Sequence, residues 1–163
     1  MVKTSKATNK DKPNYLVCVS DEKHSEAALR FTCNLAKQNK GTVTLLHIIE
    51  PSDFQSLGAI ADKIRTKQHD ESQELLSVVA EKVKKKHSVM PAIIVREGLI
   101  EDEIIKVVQE DKSITMLIAE ASPSNSKTSK TIPSLVASVG NKLSVPVLIV
   151  PSSYKEQSMK NAS

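Results

Sequence analysis

The residues with the most to offer chemically lie between Ile114 and Pro151. They form an apolar run, a polar loop that begins at Glu120, a short helix from Ile132 to Leu143, and a second apolar run. A loop that leaves the C-terminal end of a strand and enters a helix N-terminus is where open α/β sheets bind ligands and where free N–H groups hold phosphates. The loop itself, Ser122 to Thr131 (SPSNSKTSKT), is dense in hydroxyls and carries Lys127 and Lys130. That composition admits a side-chain phosphate site or a phosphorylation target, and it is first of all the composition of a solvated loop. A second polar cluster, Ser20-Asp21-Glu22-Lys23-His24, follows the first apolar run of the chain. No other carboxylate is placed to split the pKa values of its acids, so turn formation or capping is expected there and not acid–base chemistry. His24, His47, His69 and His87 have no spacing suited to a metal or a catalytic triad, and structural roles are expected. Cys18 and Cys33 lack a CxxC spacing and read as small buried hydrophobes of a reducing compartment.

The elements that must position these groups follow from periodicity. Tyr15 to Val19, Val43 to Ile49, Ala92 to Val95, Ile114 to Ala119 and Val145 to Val150 are short, β-branched-rich runs without polar alternation. Such runs fit strands buried on both faces of a parallel sheet. Between them stand helices: one capped by Ser25, with Ala28, Phe31, Leu35 and Ala36 at helical spacing and Gly41 as its stop. In the segment Ser52 to Ser88, the second half has Leu75, Leu76, Val78, Val79 and Val83 on one face and Lys82 and Lys84 to Lys86 near the C-terminus. Its first half, Asp53 to Gln68, reads as a mobile helix or lid. Ile100 to Asp111 has an apolar stripe and three acids in its first turn. Strands alternating with helices predict a three-layer α/β/α sandwich around a five-stranded parallel sheet.

Charge and composition exclude several classes. The net charge of +4 belongs to the ends: residues 1–14 carry +3, residues 155–163 carry +1, and the body between is neutral. Tyr15, Phe31, Phe54 and Tyr154 are the four aromatics in 163 residues, so stacking platforms for single-stranded nucleic acid are absent and no nucleic-acid partner is expected. No apolar run has the length of a membrane span, and the lysine-rich N-terminus lacks the apolar segment of a signal peptide; a cytoplasmic protein without a membrane partner is the expectation. Residues 1–13 read as a disordered basic tail, 14–151 as the domain, and 152–163 as a flexible tail.

In the order and spacing of three segments the chain resembles the universal stress proteins over about Tyr15 to Pro151. The segments are YLVCVSDEKHSEAALRFTCNLAKQNKGTVTLLHIIEP, VREGLIEDEIIKVV and SLVASVGNKLSVPVLIVP. The resemblance implies a flavodoxin-like or adenine-nucleotide-hydrolase-like sheet and a homodimer joined through the last strand, here Val147, Leu148, Ile149 and Val150. An apolar edge of that kind invites a partner. Members that bind ATP share an aspartate after the first strand and a motif of Gly, two residues, Gly, nine residues, Gly, then Ser or Thr. Ser20 stands at the aspartate position, with Asp21 next to it; Glu120, Pro123 and Pro133 stand at the three glycines, and Ser134 at the hydroxyl.

Each replacement removes something a phosphate needs. Glycine lets backbone N–H groups approach an anion and adopt φ > 0, Glu120 adds a repelling carboxylate, and Pro123 and Pro133 have no N–H to donate. Pro133 also suits the first turn of a helix for reasons of stability alone. The resemblance thus implies a non-catalytic homodimer that acts through protein association, with no cofactor and no metal expected. The alternative is an ATP-binding switch or weak ATPase with a rebuilt loop, using Ser20, Asp21, Ile48, Ser134 and Lys130. An enzyme related to electron-transfer flavoproteins or ATP-pyrophosphatases ranks lower, because the glycine-rich phosphate loop of the latter is missing at Ser20 to Lys23.

Overall fold

The structure, a computed structural model, describes residues 12–51, 58–121 and 138–155. Five strands, β1 (Asn14–Cys18), β2 (Thr42–Ile49), β3 (Ala92–Glu97), β4 (Ile114–Ala121) and β5 (Val147–Pro151), pair throughout in parallel in the order β3-β2-β1-β4-β5. Helices α1 (Glu26–Asn39), α2 (Ala59–His87) and α3 (Ile100–Glu110) connect the first four in turn. The α/β class and the five-stranded parallel sheet are as the periodicity predicts.

The apolar runs are continuous because both faces of the sheet are covered. On one face Val17, Leu45 and Ile118 pack with Ala28 and Cys33 of α1 and with Leu76 and Val79 of α2. On the other, Leu16, Leu46 and Leu117 pack with Ile104 and Val107 of α3 and with Val139. Successive residues of β1 therefore enter two different cores, as the twofold period of a strand requires. No helix among the described residues is long and apolar enough to cross a membrane.

Four local expectations change. Gly41 is not the left-handed stop of α1: Lys40 adopts that conformation, with φ 53°. Gly41 is needed for close approach instead, since a Cβ there would lie 2.6 Å from the carbonyl oxygen of Pro13. Ser25 does precede α1, but its hydroxyl donates backwards to the carbonyl of Asp21 (2.9 Å) and makes no cap. Val78 is exposed, because the buried stripe of α2 runs through Ser72, Leu76, Val79 and Val83. The described part of the segment Asp53 to Gln68, from Ala59 on, is no separate lid but the first turns of one 29-residue helix. Half-buried Ala61, Ile64 and Gln68 continue its stripe, and Arg65 donates to Glu97 at the end of β3 (2.8 Å). At the other end of α2, Lys82 pairs with Glu22, and Lys86 with Glu26 of α1 (3.3 Å).

Candidate functional site

The winding of the sheet reverses between β1 and β4, since the chain builds β2 and β3 on one side of β1 and then β4 and β5 on the other. At such a reversal the loops at the carboxyl ends diverge and leave a crevice. A cavity of about 490 Å³ lies there, within the ordinary range for small-molecule sites. Its floor is made by the ends of the strands, including Val19, Ile48 and Ala119; α2 supplies Gln68, Ser72 and Leu75, and α3 supplies Ile104. The segment read as a possible lid thus reaches the cavity with its later turns, as a packed helix.

Of the residues named in the sequence for a nucleotide, Ser20 and Ile48 line this cavity, and so do His24, His47 and Glu120. Asp21 does not line it. Its carboxylate accepts the backbone N–H groups of Lys23 (2.9 Å) and His24 (2.8 Å) and the Nδ1 of His24 (2.6 Å), which closes the turn ahead of α1. Burial pushes the Asp21 carboxyl upward, but the His24 N–H, the His24 ring and the Lys23 N–H outweigh it and hold the carboxyl below its ordinary value. The turn-forming role expected for this aspartate is the one it has. Ser134, Lys130, Lys127, Pro123 and Pro133 lie outside the described residues.

Two side chains at the cavity have work that periodicity alone does not reveal. His47, on β2, donates its Nδ1–H to the carbonyl of Val19 (2.7 Å), which places the ring proton on that nitrogen and ties the end of β1 to β2. Glu120, on β4, is only 6 % exposed, and its Oε2 accepts the backbone N–H of Ala28 (3.0 Å). Ala28 is the third residue of α1, so its N–H is one of the four that no helical carbonyl can reach. A carboxylate from the far side of the switch point therefore does the capping that Ser25 does not, and it favours the positive end of the helix dipole. The single signal for this in the sequence is an acid at the end of an otherwise apolar strand.

Thiol chemistry is not on offer. Burial pushes the Cys18 thiol up to about 12 and the Cys33 thiol to about 11, so neither is a thiolate near neutrality. Among the described residues no cluster of His, Cys, Asp or Glu could hold a metal ion. The lining contains the carboxylates of Glu50, Glu71 and Glu120 and no lysine or arginine among the described residues.

Comparison with known proteins agrees with this geometry. A family profile described as the universal stress protein family matches residues 14–151. Universal stress protein UspA from Lactobacillus plantarum superposes with a TM-score of 0.70 at 15 % identity, covering 85 % of this chain and 97 % of that one. A universal stress protein from Archaeoglobus fulgidus in complex with dAMP gives a TM-score of 0.57 at 16 % identity, covering 85 % and 97 %. A universal stress protein in complex with cAMP gives 0.60 at 13 % identity, covering 86 % and 98 %. A comparison with curated proteins returned no match.

Proposed function

The chain belongs to the universal stress protein family, and from that premise we propose that it is a non-catalytic stress-response module of the cytoplasm that acts by association and does not hold ATP. The observation that carries this reading is Glu120. Its carboxylate already occupies an α1 N–H group at the edge of the cavity, and a triphosphate brought there would meet fixed negative charge in a partly desolvated place. Pro123 and Pro133, at positions where the family's ATP binders carry glycine, support the same conclusion because they donate no N–H.

Association runs through β5. It is an edge strand of the described sheet: β4 pairs with one side of it, Ile149 is 41 % exposed, and Val147 and Leu148 are half-buried. An apolar edge of that kind is a template for a second copy of itself. Titration calorimetry with ATP and Mg²⁺ tests the first half of the proposal and is expected to show no binding in the micromolar range. Sedimentation tests the second half: the wild type is expected as a dimer and Ile149→Lys as a monomer.

A second reading rests on the cavity itself. Its volume at the strand ends, the backbone of β2 at Ile48, and relatives in complex with cAMP and dAMP favour a nucleotide-binding switch or weak ATPase. Ser20 would stand near the ribose, and Ser134 with Lys130 would replace the phosphate-holding glycines. Micromolar ATP binding that weakens in Ser134→Ala and Lys130→Ala would establish this reading in place of the first.

A further inference from the structure

The charge of the cavity bears on what else it admits. Glu120 is more than nine-tenths buried, yet its described partner is a neutral N–H group, and no lysine or arginine among the described residues lies within ion-pair distance of it. Buried carboxylates are ordinarily matched by a cation, because a partial dipole offsets only part of the cost of leaving water. The other acids of the lining are exposed Glu50 and Glu71, the latter facing Lys67 at 3.7 Å along α2. The titratable bases of the lining do not supply the missing charge. His24 is turned to Asp21, and His47 spends its Nδ1–H on the Val19 carbonyl. Around these acids the walls are mainly apolar, with Val19, Ile48, Leu75 and Ile104 among them, and Ser20, Gln68 and Ser72 add neutral polar groups.

We propose that this cavity is a binding site for an organic cation: an amine carried on an apolar, ring-sized body, with the ammonium group at Glu120 and the body against Ile48, Leu75 and Ile104. The ammonium donates to the carboxylate in a charge-assisted hydrogen bond, and the body is held by burial alone. The site selects against anions for the same reason that it selects for amines. This goes beyond association through β5, and an amine titration can fail without touching that reading.

The test is a charge series of one shape. The full-length protein is titrated by calorimetry with 1-naphthylmethylamine, the uncharged 1-naphthylmethanol, and anionic 1-naphthoate. The amine is expected to bind about tenfold or more tightly than the alcohol, and the acid weakest of the three. Glu120→Gln keeps an acceptor for the Ala28 N–H and is expected to weaken the amine about tenfold while leaving the alcohol within about twofold. Should Glu120→Gln fail to fold, the double variant Glu50→Gln, Glu71→Gln at the exposed rim is expected to weaken the amine alone by a smaller factor. Naphthoate binding as tightly as the amine overturns the proposal, as does an amine affinity equal in wild type and variants. Absence of amine binding also overturns it, and would mean that the counter-charge for Glu120 comes from the chain itself.

Discussion

Helices α1 and α3 both begin at the carboxyl edge of the sheet with free N–H groups, yet the acids that lie at the two starts come from opposite ranges. The first turn of α3 carries its own acids, Glu101, Asp102 and Glu103, and its entry residue Leu99 makes no side-chain cap. Glu103 folds back against Lys106 (2.6 Å) on the same helix, under Gly98, whose φ of 153° a side chain would strain. The charged groups at this helix start lie within nine residues of one another. In α1 the acceptor is Glu120, 92 residues away in sequence and on another strand. The local arrangement pairs buried Glu103 with the exposed end of Lys106 and leaves Asp102 to solvent, so its charge is matched within the helix. The distant one fastens the end of β4 to α1, so that the charge of the cavity and the stability of the first helix become one property.

That contrast can be broken experimentally, beginning with its largest element. Glu120→Ala removes a buried acceptor and is expected to destabilise the fold by about 2 kcal/mol, the range of a lost cap with an orphaned N–H. Thermal unfolding should show this as a fall in Tm of roughly 4–8 °C for a chain of this size. A loss no greater than that of an exposed first-turn acid would sink the assignment of Glu120 as the cap of α1.

Asp21 gives an intermediate case, a short-range acceptor that is only half covered. Its carboxyl is held below the ordinary value in the fold, so it adds stability above the unfolded value of about 3.9, and that increment is lost as pH falls through the folded value. Asp21→Asn, which keeps an acceptor and removes the charge, is expected to cost under about 1 kcal/mol at neutral pH. Urea melts of both proteins should converge as pH is lowered below about 3.9. A difference that grows on acidification would reverse the sign and discard the mechanism.

The smallest effect belongs to α3. Glu101→Gln removes one half-buried first-turn charge and is expected to cost about 0.3–0.5 kcal/mol at low ionic strength, falling in high salt. Equal sensitivity to salt at Glu101 and Glu120 would erase the distinction between the two helix starts.

Much of the architecture was legible in the chain. Five continuous apolar runs foretold strands covered on both sides, and the stripe of Ile104 with Val108 foretold the face that α3 buries. The turn at Asp21 was legible too, because its acceptor and donors are neighbours. Gly41 was misread, since a left-handed stop and a close approach to Pro13 ask for the same residue and only the contact separates them. Val78 was misplaced because the adjacent pairs Leu75-Leu76 and Val78-Val79 offer more than one plausible stripe.

The sequence alone determined the α/β order, the parallel sheet and the family, since hydrophobic period and turn chemistry act over a few residues and the profile spans residues 14–151. Tertiary structure decided which acid meets which N–H group. Glu120 by spacing stood at a glycine position as a presumed obstacle to phosphate; the fold turns it into the cap of α1. It also decided that α2 runs unbroken and helps to wall the cavity. The reason is the same in both cases: pairing across a sheet brings together residues whose separation in sequence carries no signal, and the partner of a buried charge is set by where the strands end.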